Sequence, residues 1–585
     1  MASSNEPSDL PNALKACRAS LISVAGFSLF INLLMLSPAL YMLQVYDRVI
    51  PTRSGETLLM LTLLALLLFA VLGGLEMVRS RIMVRLGNRL DDRLGHSLYR
   101  AIFRRNILAA GQQTARPLDD LATLRQFLAG GGVFAFFDAA WVPVYLGVLF
   151  LFHAWLGVFA SVAGVVLLGL AIANEKATGR LLAEAENEQV KARELADSNL
   201  RNAEVLHAMG MLPGIMQRWS ARHLGYLLKQ SRASDRAGVL ANLTRTLRLL
   251  SQSLVLGLGA LLVLEGRMTP GMMIAGSLLL GRALAPIDQM IGSWKGFVGA
   301  RDAYRRLDRL FTDAPAEPRR MSLPTPRGTI DIEGVSAGPP GASLPVLQGI
   351  DLRVERGEQV GIIGPSASGK STLARVLLGV WPAQVGTVRL DGADIARWNR
   401  DELGPFLGYL PQDIELFDGT ISDNIARFGS VDADRVVEAA RRAGVHDMIL
   451  RLPEGYDTWL AAGGPGLSGG QRQRIGLARA LYGNPVVVVL DEPNSNLDDS
   501  GERALGETLA RLREEGVTVL VISHRTGVLK RVDKLLVLRE GRIGLFGARD
   551  RVLARLARPG VAAPGDRAAG EARPAAGRAH PEVQA

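Results

Sequence analysis

The sequence predicts two domains of different class in series. An all-α domain of six membrane-spanning helices comes first, then an α/β domain of short buried strands alternating with helices. Three observations point there. The first half contains long stretches without a charged residue, and a Pro-rich polar segment, residues 312–328, interrupts that pattern. Beyond it the apolar runs shorten and become rich in Val and Ile. Composition agrees: the hydrophobic set is 48% of 585 residues and 64 glycines come on top. An ordinary soluble domain has roughly 45–50% with its glycines included. Intrinsic disorder of the whole chain is excluded, and a wholly soluble protein is disfavoured.

The spans follow in order. Between Arg18 and Asp47 no residue is charged, enough to cross about 30 Å of hydrocarbon with some tilt. Lys15 and Arg18 precede it as in a signal peptide, but its length and the spans that follow argue against one. Thr57–Leu75 is the second. Ala139–Asn174 is charge-free but too long for one helix. His153 and Trp155-Leu156-Gly157 mark a tight helical hairpin there, with spans near 132–152 and 155–174. Leu249–Leu264 and Pro270–Ile291 complete six, joined by Glu265-Gly266-Arg267.

Basic residues orient the bundle. Eight arginines from Arg79 to Arg105 follow the second span, and a second basic series, Lys176 to Arg222, follows the fourth. The outer turns carry few. Both termini and both long loops are therefore expected in the cytoplasm, the spans continuing there as helices. The net charge of +10, from 67 basic and 57 acidic residues, then requires no nucleic acid. The single cysteine, Cys17, excludes an intramolecular disulfide, a multi-cysteine zinc site and an iron–sulfur cluster held by this chain. Three ionisable residues, Asp138, Arg282 and Asp288, fall within or beside spans. They either line an aqueous path through the bundle or snorkel to the inner interface.

In the second domain, the buried run Gln359–Ile363 leads into Gly364-Pro365-Ser366-Ala367-Ser368-Gly369-Lys370-Ser371-Thr372 and an apolar helix. This is the phosphate-binding P-loop in its strand–loop–helix context. Its backbone N–H groups turn inward around phosphate oxygens at a helix N-terminus. Lys370 reaches the β- and γ-phosphates, and the Ser371 hydroxyl is a ligand for Mg²⁺. A second buried run, Val486–Leu490, ends in Asp491-Glu492. Asp491 is placed to hold the Mg²⁺ shell, and Glu492 to orient or deprotonate an attacking water.

Leu467-Ser468-Gly469-Gly470-Gln471 stands shortly before the Asp491 strand, Gln412 follows Leu407–Leu410, and His524 follows Val517–Ile522. In this order and spacing the set resembles the ATPase domain of ATP-binding cassette (ABC) transporters, over about residues 329–550. The six spans extend the likeness to a half-transporter of the exporter type. The resemblance implies that Leu467–Gln471 is the signature, that Gln412 is the Q-loop residue and a further Mg²⁺ ligand, and that His524 is the switch histidine. Ser495–Asp498 is then the D-loop, with Asp498 its acidic residue. Two chains would pair head-to-tail, each ATP lying between one P-loop and the other chain's Ser468–Gly470. Met209–Trp219 and about Thr114–Phe127 resemble coupling helices.

Two departures stand out. Pro339 occupies the place of the family's adenine-stacking aromatic, and no Phe, Tyr or Trp occurs from Thr329 to Val380. The coupling segment reads Ala461-Ala462-Gly463-Gly464, without the Glu many exporters carry. Leu43–Val49 (LQVYDRV), Phe136-Phe137-Asp138 with Trp141–Tyr145, Ala208–Met211 and Asp491–Asp498 are similar to PrtD-type permease/ATPases of type I secretion systems.

That likeness implies export of an unfolded secreted protein bearing a C-terminal signal. A periplasmic membrane-fusion adaptor and an outer-membrane channel would be partners, with membrane lipid around the spans of a homodimer in the bacterial inner membrane. A lipid or small-molecule exporter of the same architecture, and a membrane-anchored regulatory ATPase, are the alternatives. The expected organisation is a cytoplasmic segment 1–18, a membrane domain 19–311, a linker 312–328, an ATPase domain 329–556, and a disordered Ala/Pro/Gly/Arg-rich tail 557–585.

Overall fold

The charge-free stretches fold as long helices. The computed structural model describes residues 10–108, 116–314, 322–461 and 466–557. It divides into two compact units, the first built mainly from residues up to 316 and the second from Glu317 onward. Among the described residues of the first unit, five helical runs are long and apolar enough to cross a membrane. They are Arg18–Thr52, Gly55–Leu108, Ala154–Arg201, Leu212–Leu264 and Pro270–Asp313, and a bent pair, Gly132–Ala139 with Val142–Phe152, makes a sixth span. The most apolar window of Gly55–Leu108 buries none of its residues within the chain, as a lipid-facing surface requires.

Span three bends by 44° between Ala139 and Val142, a break the hydropathy pattern did not foretell. Pro143 sits in the first turn of the second half and supplies the cause. Its missing N–H and its ring oppose helical continuation from the residue four before it, Ala139. The hairpin turn falls at His153, where sequence placed it: the backbone is extended and the side chain caps the next helix by accepting from the Trp155 N–H at 3.2 Å.

Polar side chains tie these helices together. Arg79, 7% exposed, donates to Asp138 at 3.1 Å and to Ser28 at 3.2 Å, with its guanidinium 4.3 Å from the Phe134 ring centre. Asn32 donates to Asp138 at 2.8 Å and accepts from the Tyr145 hydroxyl at 3.0 Å. Asp47 accepts from the Thr269 hydroxyl at 2.5 Å and the Gly271 N–H at 2.8 Å, closing the turn between the first two spans onto the helix that begins at Pro270. Toward the other end of that helix, Arg306 grips Asp120 with two hydrogen bonds of 3.0 and 2.6 Å.

The second unit carries the parallel sheet. Its six strands lie in the order Arg542–Ala548, Lys534–Arg539, Gln359–Ile363, Thr518–Ile522, Val487–Asp491 and Leu407–Leu410. All neighbours are parallel except the first pair. Val487–Asp491 and Thr518–Ile522 are buried at every position, as strands covered on both faces must be. A four-stranded antiparallel sheet, ordered Leu347–Val354, Ile330–Ala337, Val385–Leu390 and Ala393–Asp394, stands beside it. Both share a core of Val360, Ile362, Leu373, Val489 and Ile522 among others. A second core joins the Gly469–Leu481 helix to Ala433–Arg442 and the far face of the sheet. The register pairs Ile522 with both Ile362 and Asp491. The carboxyl ends of the three central strands therefore finish level, where an open α/β sheet holds its ligand.

Candidate active site

The P-loop leaves the Gln359–Ile363 strand and ends in the Lys370–Leu377 helix. Ala367 and Gly369 take left-handed backbone conformations with φ of 63° and 98°. The torsion at Gly369 favours glycine, and a side chain there would also press on the end of the Leu347 side chain at 2.9 Å. Pro365, Ser366 and Ala367 are exposed, while Ser368, Gly369, Lys370 and Thr372 are buried and Gly364 and Ser371 half-buried. The Lys370 ammonium donates to the Gly364 and Pro365 carbonyls at 2.9 and 2.8 Å. Burial pushes its pKa down despite the pull of Glu492 and Asp491.

Asp491 ends the neighbouring strand and is 2% exposed. Burial raises its pKa, against a hydrogen bond from Ser371 that lowers it. Its Oδ1 is buried without a hydrogen-bond partner, and so is the Ser368 hydroxyl. An orphaned carboxylate oxygen beside a serine hydroxyl suits Mg²⁺, which takes one or two protein oxygens and fills its octahedron with water and phosphate. Among the described residues no three His, Cys, Asp or Glu side chains converge. The donor set thus matches an ion that arrives with a phosphate ligand.

Glu492 stands beyond the strand end in a left-handed conformation, φ 50°. Its N–H donates to the Ile522 carbonyl at 2.9 Å. Its carboxylate receives the Gln412 amide at 3.3 Å and lies 3.8 Å from Nε2 of His524. Residues 412, 492 and 524 are far apart in sequence, and the sheet register brings them to one point. The structure thus unites Gly364–Thr372, Asp491, Glu492, Gln412 and His524 on one edge of the sheet.

Leu467–Gln471 belongs to a different feature of the same unit. Ser468 caps the Gly469–Leu481 helix, accepting from the Gln471 N–H at 3.2 Å while Gln471 Oε1 accepts from the Ser468 N–H at 2.8 Å. Leu467 anchors this start against the core. At Gly470 any side chain would meet the Asn496 carbonyl at 2.7 Å. Asp498 caps the next helix by accepting from the Gly501 N–H at 2.8 Å. Ala462, Gly463 and Gly464 of the coupling segment lie outside the described residues.

Sequence reasoning passed over two connections here. Ser523, next to His524, lies 3.2 Å from Asn494 Oδ1, joining the His524 turn to the segment after Glu492. Gln473 joins the signature helix to Glu492. Neither carries a signal in sequence, since a polar residue on a helix, like Gln473, or in a turn after a strand, like Ser523 and Asn494, ordinarily reads as solvated.

In the first unit, Asp138 is paired with Arg79, and Asp288 with Arg248 at 3.0 Å. Arg282 is exposed on the single chain. Residues 116–127 of the first expected coupling segment lie in the helix Arg116–Ala129, with 114 and 115 outside the described residues. The second is a break at Met209–Met211 followed by the helix from Leu212.

The comparisons agree with this architecture. Residues 347–495 match the ABC transporter family, and residues 21–285 the ABC transporter transmembrane region. The chain is 44% identical over 94% of its length, and 94% of the relative's, to the type I secretion system ATP-binding protein PrsD of Rhizobium meliloti (strain 1021). It is 32% identical, over 90% of this chain and 75% of the relative, to the cyclolysin secretion/processing ATP-binding protein CyaB of Bordetella pertussis. A bacterial Atm1-family ABC exporter solved with ATP bound superposes with a TM-score of 0.77 at 23% identity, covering 92% of this chain and 96% of that one, a likeness of fold. With a matching membrane region, a matching ATP-binding region and a secretion relative spanning nearly its whole length, the chain belongs to the ABC transporters of type I secretion, multi-pass membrane proteins that couple ATP hydrolysis to transport.

Proposed function

We propose that this chain is the inner-membrane ATPase and translocase of a type I secretion system. It acts as a homodimer and exports an unfolded polypeptide carrying a C-terminal signal. One observation carries the reading: 44% identity to a type I secretion ATP-binding protein runs through both units, not through the ATP-binding region alone. By the same likeness a periplasmic membrane-fusion adaptor and an outer-membrane channel continue the conduit, and Asp47–Glu56, the longest outward segment, is where the adaptor meets it. Residues 19–311 serve as the membrane domain and 329–556 as the ATPase, with both termini and the ATPase in the cytoplasm.

The chemistry follows from the site. The P-loop amides and Lys370 bind the phosphates of ATP. Ser371, Asp491 and Gln412 would hold Mg²⁺, whose charge, when bound, offsets that of the phosphates. Glu492 takes the proton of the attacking water, with Gln412 and His524 fixing its carboxylate from either side. At this capped helix start, Gly469 and Gly470 present their N–H groups to the ATP of the other copy, the Ser468 N–H being taken by Gln471. Asp138, Arg282 and Asp288 remain the candidates for polar contacts along the translocation path.

The test is secretion itself. Deleting the gene removes one or more proteins from the culture medium, and peptides ending in their C-terminal segments change the ATPase rate of the reconstituted protein. Unaltered secretion together with a peptide-blind ATPase overturns the proposal. An ATPase stimulated by lipid alone, with no adaptor retrieved by cross-linking, points to a lipid exporter instead.

A further inference from the structure

We propose that Gln473 is a positioning residue for hydrolysis: its buried amide sets the backbone of Glu492 and ties it to the helix that begins with the signature. The inference rests on the catalytic reading of Glu492.

Gln473 lies on the Gly469–Leu481 helix, one turn past its capped start, and is 2% exposed. Its amide is used on both sides. Oε1 accepts from the Asn496 N–H at 3.0 Å, and Nε2 donates to the Glu492 carbonyl at 3.1 Å and lies 3.4 Å from the Ser495 hydroxyl. A backbone N–H can only donate, so the Asn496 bond fixes which end of the amide is oxygen. The NH₂ group must then face the Glu492 carbonyl. One side chain therefore reads the backbone on both sides of Pro493-Asn494-Ser495.

Glu492 needs such support. A non-glycine residue at φ 50° is strained and persists only where its surroundings over-determine it. Three bonds to its backbone do this: the Glu492 N–H donates to Ile522, and the Glu492 carbonyl accepts from the Ser495 N–H at 3.2 Å and from Gln473. The first belongs to the sheet and the second to the turn itself, and only the third, from one side chain, reaches Glu492 from the signature helix. Without Gln473 the Glu492 carbonyl keeps only the local Ser495 N–H, and the 493–495 turn loses its tie to the helix on both sides, so the carboxylate is held less firmly against Gln412 and His524. Binding of ATP by the P-loop does not depend on this bond, so the defect falls on turnover.

Two variants separate positioning from packing. Gln473→Met keeps the length and removes both bonds. Gln473→Glu keeps the acceptor for Asn496 but sets a carboxylate oxygen against the Glu492 carbonyl. In the full-length protein in lipid nanodiscs, both variants are expected to bind a fluorescent ATP analogue within about twofold of wild type. Both lower kcat by about 10- to 100-fold, the scale of a misplaced catalytic group, with Gln473→Glu the slower. Single-turnover hydrolysis in the Glu492→Gln background then shows no further loss on adding Gln473→Met, because the two act through one carboxylate. Wild-type kcat in Gln473→Glu, a matching rise in the dissociation constant for the analogue, or additive losses would overturn the inference. Near-normal turnover in Glu492→Gln alone would instead remove Glu492 from its catalytic role, which the Gln473 variants by themselves cannot do.

Discussion

At the scale of single residues, the active edge of the sheet separates binding from chemistry. Glu492 is the only carboxylate that both Gln412 and His524 approach among the described residues. Replacing it with glutamine keeps the size while removing the proposed base. Glu492→Gln is expected to retain ATP and to hydrolyse it at least about 100-fold more slowly, since general-base help is worth roughly 10²–10⁴. Phosphate release and nucleotide retention, measured on the same sample, check this. The base of the nucleotide is a different matter. No aromatic residue lies between Thr329 and Val380, so stacking worth about 1–3 kcal/mol in nucleic-acid sites is not supplied by that segment. ATP and GTP should be hydrolysed at comparable rates, and a strong preference for ATP in a competition assay would contradict this.

At the scale of elements, patterns that repeat along the chain were legible and pairings across it were not. Charge-free runs showed the spans, and β-branched runs flanking the P-loop and Asp491 showed the central strands. His153 announced the hairpin because a turn interrupts a local pattern. The 44° bend of span three has no such local mark, since a proline such as Pro143 is also tolerated at the first turn of an unbent helix. Arg79–Asp138 and Asp47–Gly271 escaped for another reason. Their partners are 59 and 224 residues apart, and no periodicity encodes such a meeting. The second of these explains a motif that sequence alone could only compare: in Leu43–Val49 the aspartate seals the start of the last span. Its Oδ1 takes the Gly271 N–H, one of the donors a helix start leaves free. Asp47→Ala is expected to lower stability by about 1 kcal/mol, the usual worth of such a cap. Thermal unfolding of the detergent-solubilised protein reads it out as a lower midpoint, with exposed Arg48→Ala as the neutral control.

At the scale of the whole molecule, one chain carries every part of the site but not in one place. The P-loop, Asp491 and Glu492 share the edge of the sheet. Ser468–Gly470 instead opens a separate helix and packs on Asn496. The proposed head-to-tail pair would resolve this, because a two-fold axis would repeat the same incomplete half and supply each P-loop with the other chain's signature. The arrangement makes a prediction that no single-chain site could satisfy. Lys370→Ala removes the phosphate grip, and Ser468→Arg fills the place where the partner's nucleotide would approach. Each variant alone is expected to be inactive, having two identical defective sites. Mixed in one membrane, the two pair at random, and half the dimers then contain both. In those, the intact P-loop of one chain meets the intact signature of the other, while the second site carries both lesions. The mixture should recover up to about a quarter of the wild-type rate. Two inactive preparations that stay inactive after co-expression, with mixed dimers verified by tagged pull-down, would place the complete site within a single chain.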